Sequence, residues 1–213
     1  MDKIRTAIIT GGHDFEVIPF HHLFRSFDSI DPYIQHMEDF ASSSQEVREW
    51  YDVVLFYNMY KGHPTEQGPG KQKPALEQLG RTEQGIVVLH HAVLSYQGWE
   101  IWEDIVDRDT GGFQFHHDQE LPVSVADQEH AITQGLDDWT MQDETYELNA
   151  AGQESHVLLQ TSCPNSVGNL AWVRRYRNSR VFCFFCGHDH VAWENPNFAT
   201  VLHRGIEWTC GRR

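Results

Sequence analysis

Histidines follow three apolar segments of this 213-residue sequence. The segments and their histidines are TAIIT (6–10) with His13, GIVVL (85–89) with His90 and His91, and RVFCFFC (180–186) with His188 and His190. Imidazole can act as an acid or a base near neutral pH, or bind a metal as a neutral ligand. Because the chain holds 14 histidines, a structural role is the alternative for any one of them. For the set, the repeated placement predicts a functional site.

The apolar segments are typical of buried strands. The runs YDVVLFY (51–57) and GIVVL are continuous, as in parallel strands that are covered on both faces. A helix that opens with proline is predicted from 74 to 84, and apolar residues recur at helical spacing from 99 to 106. Strands that alternate with helices predict a mostly parallel sheet. Ligands bind at the carboxyl ends of such strands, so we expect positions 13, 90 and 188 to share one hollow.

The second half of the chain has a different pattern. Short strands are predicted at 121–126, 144–148 and 156–160, followed by a hairpin of 170–176 and 180–186 and a final helix at 197–208. There is no internal repeat and no obvious linker. A chain of this length therefore predicts one domain, residues 1–213.

Charge and composition exclude several classes of partner. The chain has 16 basic and 31 acidic residues, a net charge of −15, and Arg108 is the one basic residue between positions 100 and 154. Nucleic acids and anionic membranes both need a basic surface, so neither is expected as a partner. The sequence has no run of about 18 apolar residues and no signal peptide, and its four cysteines suit a reducing compartment. We therefore expect a cytoplasmic protein.

Other motifs carry less information. Cys183 and Cys186 have C-x-x-C spacing but lie inside an apolar segment, whereas a redox pair needs a helix N-terminus. Two pairs of histidines are adjacent in the sequence: His21–His22 and His116–His117. The side chains of adjacent residues point in different directions on a helix or a strand, so neither pair is expected to share a metal. The residues of two further motifs have open roles: Glu144 and Tyr146 line a pocket or form a solvated acidic edge, and Trp99 and Trp102 belong to the core or stack on a sugar.

Six stretches together resemble a known family. They are GGHDF (11–15), GIVVLHHAVLSYQGW (85–99), HAITQGLDDW (130–139) with DETYEL (143–148), VFCFFCGHDHVAWENPNF (181–198) and GIEWTCG (205–211). In this order they resemble the ThuA-like (trehalose utilisation) proteins of the class I glutamine amidotransferase-like superfamily. The resemblance implies a flavodoxin-like three-layer α/β sandwich with a mostly parallel central sheet.

The resemblance also bears on the nucleophile. Class I amidotransferases carry a cysteine at the sharp turn after the central strand and pair it with a histidine after a late strand. Here the turn reads LHHAV (89–93), with no Cys, Ser or Thr before Ser95, while His188 matches the late histidine. Without a nucleophile there is no acyl-enzyme route. Glutamine amidotransferase activity is therefore not expected.

The remaining polar residues suit acid–base chemistry, or a divalent metal (zinc, manganese or iron) held by imidazole and carboxylate. ThuA-like proteins are associated with disaccharide catabolism, alongside dehydrogenases that form 3-keto sugars. The resemblance thus implies an enzyme that acts on a sugar or 3-keto sugar. The predicted roles are catalytic for His188, His13 and Glu144; substrate-binding for Asp14, His90, Tyr96, Trp99, Tyr146 and Asp189; and metal-binding for His13, His91, His188 and His190.

Two alternatives stay open at this point. A non-catalytic sugar-binding or regulatory domain would keep the pocket without the chemistry. A hydrolase or amidase would instead use water activated by a bound metal. The expected partners are a small carbohydrate and, because related α/β domains often self-associate, a second copy of the chain.

Overall fold

The computed structural model describes residues 2–66 and 71–213. Within these ranges the strands form one nine-stranded sheet. The strands are β1 (Ile4–Thr10), β2 (Ile30–His36), β3 (Val53–Phe56), β4 (Gly85–Leu89), β5 (Gln114–Val125), β6 (Trp139–Glu147), β7 (His156–Thr161), β8 (Asn169–Tyr176) and β9 (Ser179–Phe184). The helices are α1 (Val17–Arg25), α2 (Met37–Ser42), α3 (Gln45–Glu49), α4 (Gln72–Leu76), α5 (Glu100–Val106), α6 (His190–Trp193) and α7 (Pro196–Thr209), with a 3₁₀ helix at His90–Leu94.

The sheet has two halves that differ in strand direction. Its order is β2-β1-β3-β4-β9-β8-β7-β5-β6. The five strands from β2 to β9 pair in parallel, in the order typical of flavodoxin-like folds, with β9 as the fifth strand. The pairs from β9 to β6 are antiparallel. The predicted mostly parallel sheet is therefore wrong: the sheet is mixed.

The physical reason for the mixture lies in the connections. A parallel pair needs a crossover of a dozen or more residues, whereas β8 and β9 are joined across Arg177 and Asn178 alone. Such short turns can only reverse the chain. The β5–β6 pair is also antiparallel, but its strands are joined by the longer segment 126–138, so the length of the connection does not explain their direction. The pair has a shift of register between His116 and Gln119.

Helices cover both faces of the sheet and give the fold three layers. On one face, α1 and α7 pack Phe20, Phe24 and Phe198 against the sheet. On the other face, α2 and α5 contribute Phe40 and Trp102. The strands β3 and β4 are buried along their whole length, as their continuous apolar sequences predict.

Most predicted elements occur close to their expected bounds, including the β8–β9 hairpin and α5. The final helix begins at Pro196, where the Asn195 side chain accepts hydrogen bonds from two backbone N–H groups of the first turn. The helix predicted over 74–84 is shorter, because α4 ends at Leu76 and the chain turns at Gly80, whose φ is +76°. None of the helices in the described ranges is long and apolar enough to cross a membrane.

Candidate active site

The carboxyl ends of three parallel strands bring the predicted histidines together. His13 follows β1, His90 and His91 follow β4, and His188 follows β9. The ring centroids of His13 and His91 are 4.4 Å apart, those of His90 and His188 are 5.4 Å apart, and those of His13 and His188 are 6.0 Å apart. Residues from three distant parts of the chain therefore share one hollow.

His90 occupies the sharp turn after β4. Its φ is +52°, in the left-handed region that non-glycine residues seldom adopt, and such strain is concentrated at functional sites. The ring is fully buried, and Nδ1 donates to the Phe185 carbonyl at 2.9 Å. This bond directs Nε2 towards Glu144 Oε2 at 3.3 Å and the Tyr146 hydroxyl at 3.1 Å.

The β5–β6 hairpin brings Glu144 and Tyr146 to this hollow, although β6 is the last strand of the sheet. The Tyr146 hydroxyl donates to Glu144 Oε2 at 2.6 Å. The other carboxylate oxygen, Oε1, lies 3.2 Å from His117 Nδ1. Burial opposes the ionisation of Glu144, but its contacts with His188, His90 and Tyr146 outweigh that effect and hold its pKa well below the usual range.

His188 faces the same carboxylate. Its Nδ1 lies 3.0 Å from Glu144 Oε2, and this buried atom has no hydrogen-bond partner. The Glu144 carboxylate raises the pKa of His188.

Asp143 connects the hairpin to the loop after β9. Its Oδ2 accepts the Gly187 N–H at 2.7 Å, and its Oδ1 accepts the N–H groups of His188 at 3.0 Å and Glu144 at 2.9 Å. Burial raises the pKa of this carboxyl, while His90 and the three N–H donors oppose the shift. Asp143 was not predicted as a site residue, because strand alternation predicts opposite environments for neighbouring residues, whereas Asp143 and Glu144 are both buried.

His91 supports the site from behind. Its Nε2 donates to the Tyr57 carbonyl at 3.1 Å, and its ring stacks on His13. Burial lowers the pKa of His91 well below the ordinary value, which favours the neutral ring. His91 therefore fixes the position of His13, which is itself exposed.

A cleft of about 500 Å³ opens beside the cluster. Its walls combine aromatic and polar side chains; they are Gly12, His13, Met59, Tyr60, Lys61, Phe113, Phe115, His117, Glu144 and Tyr146. A second hollow of about 850 Å³ adjoins it around His13, Asp14 and His36. Apolar walls with a few convergent polar groups are typical of small-molecule sites.

Of the six residues predicted to bind substrate, only Tyr146 lines this cleft. Asp14 lines the adjoining hollow, His90 is fully buried, and Tyr96, Trp99 and Asp189 have structural roles. Tyr96 and Trp99 are buried in the core, where the Tyr96 ring packs 5.2 Å from the Trp102 ring. Helical spacing alone could not separate packing from sugar contact. Asp189 caps α6 by accepting the Val191 N–H at 3.0 Å, so its carboxylate is occupied by the backbone.

The predicted metal ligands also need correction. In the part of the chain that the structure describes, one group of potential ligand atoms lies within 4.8 Å of one another: His90, Glu144 and His188. Of the predicted set, this group contains only His188. His91 uses Nε2 on a backbone carbonyl. His190 begins α6 and binds Glu16 at 2.8 Å, so it does not face the same way as His188.

Solved structures define the class of fold. The chain is similar to a ThuA-like protein of Parabacteroides merdae, with 20% identity and a TM-score of 0.77 over 99% of this chain and 91% of that one. A cytoplasmic protein of Salmonella typhimurium matches at 10% identity and a TM-score of 0.69, over 95% of this chain and 98% of that one. A glutamine amidotransferase of Thermotoga maritima matches at 9% identity and a TM-score of 0.60, over 99% of this chain and 100% of that one. The TM-scores show that this chain has an α/β fold similar to those of ThuA-like and glutamine amidotransferase structures, and identities this low show nothing beyond the fold.

The family follows from the sequence itself. The model of the ThuA family, described as trehalose utilisation, matches residues 31–209. The chain therefore belongs to the ThuA family. No curated protein matches it.

Proposed function

We propose that this protein is a cytoplasmic enzyme that moves a proton at the carbon beside the carbonyl group of a 3-keto sugar. One observation carries the proposal: imidazoles, a carboxylate and a phenol converge at the wall of a cleft that is large enough for a sugar. Membership of the ThuA family supports a carbohydrate as the substrate.

The proposed chemistry needs a base and a site for negative charge. A keto group acidifies the neighbouring C–H bond. When a base takes that proton, the electron pair moves to the carbonyl oxygen and forms an enolate. Donors that are already positioned at this oxygen stabilise the charge. For isomerisation, the hydroxyl on the deprotonated carbon gives up its proton and becomes the new carbonyl, while the former carbonyl carbon takes up a proton and its oxygen becomes a hydroxyl. For elimination, the enolate instead expels the glycosidic oxygen, which takes a proton as it leaves.

Residues of the hollow can divide these tasks. We assign proton removal to His13, because its ring is exposed beside the cleft and is held by His91. The buried group of His90, Glu144 and His188 lies where it can orient and polarise the carbonyl. The Tyr146 hydroxyl, 2.6 Å from Glu144, is a proton donor at the same point.

The walls of the cleft suit a carbohydrate. Tyr60, Phe113 and Phe115 offer aromatic surface, and the Phe115 side chain is exposed. Aromatic faces pack on the C–H faces of sugar rings, and the polar groups between them can bind hydroxyls. The adjoining hollow around Asp14 and His36 is the place we propose for the second ring of a disaccharide.

Turnover of a 3-keto-disaccharide in D₂O tests the proposal. Wild type should release the leaving sugar or form the isomer, with deuterium entering beside the carbonyl. His188→Ala, which removes one of the groups proposed to polarise the carbonyl, should reduce turnover by about 10²–10³-fold, the usual cost of losing one such group. His190→Ala is the matched control, since that side chain is bound to Glu16, and circular dichroism checks the fold of both variants.

The possible results separate the candidates. Unchanged turnover of His188→Ala would remove this residue from the mechanism. If wild type neither turns over the substrate nor exchanges deuterium, the proposal is wrong. Saturable sugar binding without turnover would then favour the non-catalytic sugar-binding domain. A metal-dependent hydrolase is the second enzymatic candidate, because His90, Glu144 and His188 have the donor types of a metal site.

A further inference from the structure

We propose that His90, Glu144 and His188 bind one divalent transition-metal ion, of the class of zinc, manganese or iron(II). The binding itself is independent of the function proposed above. The role of the ion, polarising the carbonyl oxygen, rests on that function.

The distances among the donor atoms fit one ion. Glu144 Oε2 lies 3.3 Å from His90 Nε2 and 3.0 Å from His188 Nδ1. Two ligands that are each about 2.0–2.1 Å from a tetrahedral ion are about 3.3 Å apart, and neighbouring ligands of an octahedral ion are about 3.0 Å apart. The three side chains are thus spaced like ligands of a common centre.

The hydrogen bonds leave the three candidate ligand atoms facing one another. His90 Nδ1 donates to the Phe185 carbonyl, so in the neutral ring Nε2 presents a lone pair. The single Tyr146 proton goes to Glu144 at 2.6 Å. His188 Nδ1 is buried and has no hydrogen-bond partner. Two imidazole nitrogens that face one carboxylate oxygen form a site of negative electrostatic potential. A cation bound between them would interact favourably with all three atoms.

The candidate ligands also make the hydrogen bonds to neighbouring groups that metal ligands usually make. Ligating histidines usually donate their second N–H to a carbonyl or carboxylate, and ligating carboxylates accept hydrogen bonds. His90 meets the first condition through Phe185 and Glu144 meets the second through Tyr146. Asp143 holds the backbone that carries His188.

The set also leaves room for a reacting molecule. Three protein ligands with an open position distinguish catalytic metal sites from closed structural ones. Two imidazoles and one carboxylate suit zinc, manganese or iron(II). Glu144 lines the cleft, so the open position would face the substrate.

Calorimetric titration of the full chain, purified without a histidine tag and stripped with a chelator, tests the site. We expect Zn²⁺, Mn²⁺ or anaerobic Fe²⁺ to bind wild type with a stoichiometry of one. Co²⁺ should give a visible absorption spectrum typical of nitrogen and oxygen ligands. His188→Ala and Glu144→Gln should each weaken binding by more than about 100-fold, since loss of an outer contact alone costs about 10–100-fold. His190→Ala, the matched control, should bind as wild type does.

Failure of this inference can be told from failure of the proposed function. Absence of stoichiometric binding to wild type would overturn the metal site even if a variant failed to fold. Wild-type affinity in His188→Ala, or its loss in His190→Ala, would also overturn it. Full turnover of a keto sugar by the stripped protein would leave the proposed function standing and remove the ion from it. Stoichiometric binding at these three ligands would support the site whether or not a keto sugar is turned over.

Discussion

The parallel and antiparallel halves of the sheet contribute different chemistry to the candidate site. The parallel half supplies imidazoles from the loops after β1, β4 and β9. The antiparallel half supplies the carboxylates and the phenol, from one end of the β5–β6 hairpin. The hairpin meets the loops through Asp143 and Glu144. Neither half holds a complete acid–base or ligand set, so the site depends on their contact.

The strands of the two halves also differ in how deeply they are buried. The parallel strand β3 is buried at every position, whereas β5 alternates between buried and exposed residues near its end. A strand covered on both faces tolerates no polar substitution. A strand covered on one face tolerates polar residues at every second position, where the side chain is exposed.

The largest expected effect tests this difference in burial. Val54→Asn should destabilise the protein by more than about 4 kcal/mol, because it buries an amide without partners. Ser124→Asn on β5 should change stability by less than about 0.5 kcal/mol, since that position is exposed. Urea denaturation at neutral pH measures both. Equal losses in the two variants would contradict the contrast between the halves.

A smaller effect is expected at the junction of the halves. Asp143→Asn replaces an acceptor of three backbone N–H groups by an amide that presents its own N–H to them. We expect a loss of about 3 kcal/mol in the free energy of unfolding, together with reduced turnover, because the His188 loop loses its anchor. Glu120→Gln, an exposed change on the same hairpin, is the control and should match wild type. Unchanged stability and turnover of Asp143→Asn would show that the junction is unimportant.

The smallest effect is expected at the opposite edge of the parallel half. Arg5 binds Asp52 through Nε at 3.0 Å, across β1 and the start of β3, and this lowers the pKa of Asp52. A carboxyl whose pKa is lower in the folded state stabilises the protein above its unfolded pKa of about 3.9, and this contribution is lost as the pH falls through the folded value. Both side chains are about one-third exposed, so solvent weakens the pair.

Asp52→Asn should therefore cost less than about 1 kcal/mol at pH 7. The difference from wild type should shrink as the pH falls below about 4. Urea midpoints across this pH range measure it. Turnover should not change, because the pair lies at the amino ends of the strands, away from the hollow. A difference that grows on acidification would have the wrong sign for this account.

The sequence predicted the parallel half better than the antiparallel half. Continuous apolar runs in the sequence mark β3 and β4. Because residues that follow parallel strands lie at the same edge of the sheet, the sequence also predicts that His13, His90 and His188 are close together. The role of Asp143 depends on how a long hairpin folds back over the sheet, which local pattern does not encode. Tyr96 shows the converse, because a residue in a family-like stretch was assigned to substrate but packs in the core.

A double-mutant cycle across the two halves tests the central claim most directly. His188→Ala and Glu144→Gln, alone and combined, are compared by kcat/KM on a 3-keto-disaccharide. If imidazole and carboxylate form one centre, the double variant should be about as slow as the slower single variant, because groups that act as a unit are not additive. If the two losses multiply, the halves act independently and the composite site is wrong.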